Sequence, residues 1–200
     1  MRTIIAIGIV VITCICLRPA QAADDPSVAE AIRSLASAGA AKCPNLQDQL
    51  TQAREKGNAD AISALEGAYR TMCVCMPAQL QALRSSLSPA QLSAKSSQST
   101  LRSRYTNEVV GKCAADQLRA NYSEGCAQRY AKIRPNSDRY CQCMSGKLAK
   151  LPDSEADALG AASSDYTPQV NEAKKKGQPP PEPPPALKQF FADERACSTP

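Results

Sequence analysis

Cys73-Val74-Cys75-Met76 and Cys141-Gln142-Cys143-Met144 are the stretches that decide the fold. Each Cys-x-Cys (CxC) motif has one cysteine upstream and one downstream. Cys43 and Cys113 flank the first, and Cys126 and Cys197 flank the second, so the layout C…CxC…C occurs twice. Successive α-helical residues are about 100° apart, so the two cysteines of a motif are separated by about 200° and cannot bridge each other. They flank an apolar stripe instead. Ile62, Leu65, Tyr69, Met72 and Met76 carry that stripe through the first motif, and Tyr140, Met144, Leu148 and Leu151 through the second. One member of each motif can then bond the preceding helix and the other the following helix.

A turn signal at Gly57-Asn58 lies midway between Cys43 and Cys73, so antiparallel helices on either side bring these two together. Cys43 is expected to bond one member of the first motif and Cys113 the other. Cys126 and Cys197 are expected to share Cys141 and Cys143. Eight cysteines allow 105 pairings. The repeat narrows these to four, because each motif can be split in two ways.

The motifs are offset by 68 residues, and at that offset Leu80 matches Leu148 and Leu83 matches Leu151. The outer cysteines correspond in order at offsets of 83 and 84, so loops changed length while the cysteine order persisted. The expected fold class is all-α, a disulfide-stapled helical bundle of two tandem repeats. The expected units are residues 23–120 and 121–200, after a leader at 1–22. Within the second unit, residues 178–185 (QPPPEPPP) form an extended strap covering about 25 Å at ~3.1 Å per residue.

Helix signals recur along the chain. Ser27 with Glu30 is a capping box. Pro77 should end or kink its helix just past the first motif. Ser88-Pro89 reads as a cap with proline at the first helical position. Residues 93–100 are a polar break. Asn121 with Glu124 repeats the cap pattern, Pro152 ends a helix, and Ser154 with Asp157 suggests a further box. No alternating run demands a strand.

Arg2, the apolar run Ile4 to Leu17 and Ala20-Gln21-Ala22 read as a secretory signal cleaved after Ala22. Cys14 and Cys16 leave with it. The apolar run is too short for a confident span of ~20 residues, and no later segment is apolar enough to cross a bilayer, so the chain after cleavage is not expected to be an integral membrane protein. Beyond the leader, 14 Leu, 3 Ile, 5 Val and 2 Phe are thin core material. An exported chain with so little to bury is the setting in which disulfides, at about 2–4 kcal/mol each, supply stability.

The chain has no histidine, which removes the usual general base near neutral pH and the commonest transition-metal ligand. No catalytic constellation and no cofactor are expected. Asp24-Asp25 and Asp193-Glu194 read as solvated helix-end pairs. Net charge is +5, or +3 without Arg2 and Arg18. Positive charge gathers in residues 95–150, where Arg102, Arg104, Arg119, Arg129, Lys132, Arg134 and Arg139 make a candidate surface for an anionic partner. Asn121-Tyr122-Ser123 is a glycosylation sequon only in a eukaryotic host. The CC pairs of the plant lipid-transfer and hydrophobin patterns are missing, and no family is assigned from the residues.

The expected function is that of an exported, non-enzymatic binding or structural protein, periplasmic or otherwise secreted. It would present a rigid stapled surface to a protein or envelope partner, and not to nucleic acid. One alternative is a Cu(I) or thiol-redox protein using the CxC motifs with Met76 or Met144, since soft sulfur suits Cu(I). A second is an inhibitor or immunity-type protein.

Overall fold

The computed structural model describes residues 25–96, 99–123, 125–131, 134 and 136–198. The expected leader and Lys132 lie outside them. The described residues are all-α, with no strand among them and one isolated bridge between Ser27 and Lys95. The chain divides into two compact units between Gln98 and Ser99.

In the first unit, α1 (Val28–Ala40) opens on its capping box. The Ser27 hydroxyl accepts the Glu30 N–H at 3.3 Å, and the Glu30 carboxylate accepts the Ser27 N–H at 2.8 Å. Helices α2 (Cys43–Glu55) and α3 (Ala59–Tyr69) form the expected hairpin. Gly57 takes the left-handed conformation (φ 62°) that favours glycine at this turn. Asn58 then caps α3 by accepting the Ala61 N–H at 3.1 Å. Arg54 and Glu66 pair across the hairpin at 2.8 Å.

From α3 the chain runs through a π turn (Arg70–Cys75) into α4 (Met76–Ser85). Pro77 therefore does not end the helix, and the disruption expected there takes the form of the π turn. In a plain α-helix its ring would press on the Cys73 carbonyl. The π turn re-registers the ladder, and the Met76 N–H donates to the Thr71 carbonyl five residues back. Pro77 then sits in the first turn of α4, where its missing N–H costs nothing.

Helix α5 (Pro89–Ser93) starts on a box of Ser88 and Gln91. The two ends of the unit are tied together: the Val28 N–H donates to Ala94 and the Ser96 N–H to Pro26, both at 2.9 Å. Helix α1 packs on α4 and α5, burying Val28, Ile32, Met72, Met76, Leu80 and Leu83.

The second unit contains α6 (Ser99–Arg104), a π turn (Tyr105–Gly111), α7 (Lys112–Ser123), α8 (Cys126–Tyr130), α9 (Ser137–Lys150), α10 (Asp153–Lys175) and α11 (Pro185–Ser198). Residues 99–120, grouped with the first repeat by cysteine order, pack here with α10. The reason is a close helix crossing. A Cβ on Gly160 would lie 2.1 Å from the Gly111 carbonyl, and one on Gly111 would lie 2.5 Å from the Asp157 carbonyl. Only bare backbones fit at that separation.

Two expected caps are not used. Helix α7 runs through Asn121, whose side chain accepts from Gln117 at 2.8 Å, and the break comes at left-handed Gly125. Helix α10 starts at Asp153 after Pro152, which places Ser154 and Asp157 inside it. Pro168 lies within α10, and the neighbouring Thr167 hydroxyl donates to the Ser163 carbonyl at 2.8 Å. Residues 178–184 carry no helix or strand and lead to α11. The Tyr166 hydroxyl donates to the Pro181 carbonyl at 2.9 Å, which fixes the strap to α10.

Candidate functional site

The disulfides resolve much of the pairing left open by the sequence. Cys43 bonds Cys73 with Cα atoms 5.8 Å apart, joining the α2–α3 hairpin. Cys126 bonds Cys141 (5.8 Å) and Cys143 bonds Cys197 (5.6 Å), tying α9 to α8 and to α11. Cys75 and Cys113 are disulfide-bonded too. In both motifs the upstream cysteine takes the first member. Cys126 and Cys141 are buried, whereas Cys43 and Cys73 are half-buried. With their sulfurs in disulfides, these residues present no thiolate, the form in which cysteine binds metal or attacks as a nucleophile.

Above the second motif lies a polar cluster that the sequence does not announce. Tyr122 and Tyr140 both donate to one Glu194 carboxyl oxygen, at 2.7 and 2.9 Å. Tyr130 stacks with Tyr122 and meets Tyr140 edge-on at 5.3 Å. The Arg134 guanidinium lies 4.0 Å over the Tyr140 ring and donates to the Ser198 hydroxyl at 2.6 Å. Burial, followed by the nearby Glu194 charge, holds the Tyr122 phenol far above its ordinary value. Burial also raises Tyr130 and Tyr140. All three are therefore neutral phenols at physiological pH, and Tyr122 and Tyr140 donate to the carboxyl group.

Asp193 bonds Lys147 at 2.7 Å, joining α11 to α9. The Asp193-Glu194 pair is thus not a solvated helix end, because both residues are half-buried and bonded across the unit. The one signal in the sequence was the run of tyrosines at 122, 130 and 140, which suggests a shared cluster but does not single out Glu194 over nearer acids such as Glu124 and Asp138. Beside the Lys147–Asp193 pair is a cleft of about 190 Å³ with Met144, Leu148, Leu151, Leu159 and Phe190 in its wall. That is below the ~300–1,000 Å³ typical of small-molecule sites.

Among the described residues of the basic set, four arginines are engaged with other groups of the second unit. Arg104 pairs with Glu108 at 2.6 Å and holds its carboxylate below the ordinary range. Arg119 donates to the Leu151 carbonyl at 3.3 Å and to Asp153 at 3.2 Å, across the α9–α10 corner. Arg129 donates to the Asn121 carbonyl, and Arg134 lies on the tyrosine cluster. Arg102 and Arg139 are exposed.

No group of three or more metal-ligating His, Cys, Asp or Glu side chains occurs among the described residues. No helix among them is long and apolar enough to cross a membrane. No family model, curated protein or solved structure matches the chain.

Proposed function

We propose that this chain is an exported, non-enzymatic helical protein that presents a disulfide-stapled surface to a protein or cell-envelope partner. The observation that carries the proposal is how the polar side chains of the second unit are used. Tyr122, Tyr140, Glu194, Lys147, Asp193 and Arg119 hold helices to one another, so groups suited to acid–base chemistry serve packing. The disulfides fit an oxidising compartment, a bacterial periplasm or otherwise the exterior. A stapled body keeps its surface rigid, so a partner meets a preformed shape and little ordering entropy opposes binding. Available contact points include Val74, a large apolar residue 57% exposed between two bonded cysteines, and the cations Arg102 and Arg139.

The test is photo-crosslinking in the native envelope, with a benzophenone side chain placed in turn at Val74, Arg102 and Arg139. One discrete adduct, formed from some of these positions and lost on reduction of the disulfides, is the expected result. No adduct from any position, or a turnover activity abolished by one polar substitution, would refute the proposal.

A further inference from the structure

We infer that the cysteines pair in the order in which the chain is threaded out of the cell, so a dithiol oxidase alone completes the bonds and no disulfide isomerase is needed. The inference rests on the export reading above. Its basis is connectivity. Cys43–Cys73, Cys126–Cys141 and Cys143–Cys197 span 30, 15 and 54 residues, and no other cysteine lies between the partners of any of these three bonds. The loops neither nest nor interlace.

The CxC motifs made the opposite outcome available. Had Cys126 taken Cys143, Cys141 would have been enclosed in that loop while Cys197 lay outside it. The bonds would then have interlaced, and a chain oxidised from its N-terminus would have had to break a first bond to reach them. The observed split requires no such step.

Local structure supports the same order. The Cys43–Cys73 loop holds the α2–α3 hairpin, whose turn at Gly57 aligns the two sulfurs. Threading order cannot choose between Cys73 and Cys75, which are two residues apart; the hairpin register makes that choice. At synthesis rates of about 5–20 residues per second, Cys73 follows Cys43 by roughly 2–6 s and Cys141 follows Cys126 by roughly 1–3 s. Disulfide formation spans seconds to hours depending on the oxidant, and at its fast, oxidase-driven end it matches these intervals, so each pair can close as it emerges.

The chemistry balances with an oxidase carrying a disulfide as the named co-reactant. The thiolate of the first cysteine attacks the oxidase disulfide and forms a mixed disulfide. The thiolate of the second attacks the chain-side sulfur and closes the native bond. Two electrons and two protons pass to the oxidase, which leaves as a dithiol.

The full chain should be expressed with its leader in three bacterial hosts: an unmodified one, one lacking its disulfide isomerase and one lacking its dithiol oxidase. Free thiols are alkylated at harvest, and the bonds are mapped by peptide mass. In parallel, the reduced purified chain is oxidised by a purified dithiol oxidase in its disulfide form. The expected result is an unchanged yield of these three bonds without the isomerase, their loss without the oxidase, and their recovery in the purified reaction. Loss of the native bonds in the isomerase-deficient host, or a scrambled mixture from the purified oxidase, would overturn the inference. A chain that keeps its leader and all its thiols in the unmodified host would instead overturn the export reading, and the purified reaction would then decide the pairing order.

Discussion

At the first Cys-x-Cys-Met motif the helix widens into a π turn. At the second, 68 residues on, helix α9 runs straight through. The sequence difference lies one residue past each methionine, where Pro77 stands opposite Ser145. A proline two residues after the second cysteine cannot sit in a regular helix interior. The first rod absorbs it by changing register, and the second has nothing to absorb. The disulfides differ in parallel: Cys43–Cys73 is half-buried beside the bulge, while Cys126–Cys141 is buried under the tyrosines. The same motif thus works in two helix geometries, because a bond to the upstream cysteine needs only the first member to face the neighbouring helix.

That comparison can be broken most forcefully through the crossing found in the second unit. Gly160→Ala places a methyl group 2.1 Å from a backbone carbonyl, and a backbone cannot swing away as a side chain can. We expect a loss on the order of 3 kcal/mol or more in urea unfolding. A change within error would show that α10 sits further from Gly111 than described. Next in size is the reciprocal exchange. Ser145→Pro should cost about 3 kcal/mol in the straight α9, or force a π turn there; hydrogen exchange on the α9 amides distinguishes the two outcomes.

The paired methionines come third. Met144 has no exposed surface and Met76 is 9% exposed. Truncation to alanine should cost about 2–5 kcal/mol at Met144 and less at Met76, measured by thermal melts. Equal losses would contradict the difference in packing.

The alkaline limb is smaller and belongs to the second unit. Folding raises the tyrosine pKa values at 122, 130 and 140, so the folded state favours the neutral phenols. Their contribution is fully present below the unfolded value of about 10 and is lost as pH rises beyond it. Tyrosinate absorbance should therefore appear together with loss of helical circular dichroism, and Tyr140→Phe should shift that transition upward. Ionisation of these three while the helices stay intact would contradict their burial. Least disruptive is Pro77→Ser, which should return Arg70–Cys75 to α-helical exchange protection with a stability change of under about 1 kcal/mol. A π turn that survives the substitution would mean that proline is not its cause.

Elements built from local rules were legible in the sequence. The Ser27 and Ser88 caps, the Gly57-Asn58 hairpin and the clustering of cysteines all follow from residues close together in the chain. The π turns were not legible, because a stripe counted in steps of three and four assumes the very register that a π turn changes. The Gly111–Gly160 crossing was hidden for a different reason. A missing side chain leaves no apolar signal, and the two glycines are far apart in sequence. The Tyr122–Tyr140–Glu194 cluster was obscured by the same distance, and Glu194 sits beside Asp193 in a pair that resembles an ordinary solvated helix end. The basic residues show the same limit of reading along the chain. Counting charges along the chain cannot reveal that Arg119 and Arg134 reach across to a helix corner and an aromatic face.

The strap between α10 and α11 has a consequence for life at high concentration. From Pro179 to Pro185 the single residue able to donate a main-chain hydrogen bond is Glu182. An extended segment lying across a surface would ordinarily offer a ladder of donors to any passing strand, and so seed assembly. This one presents carbonyls with almost nothing to answer a neighbour's own, so the chain can cross open ground without inviting a sheet to grow there.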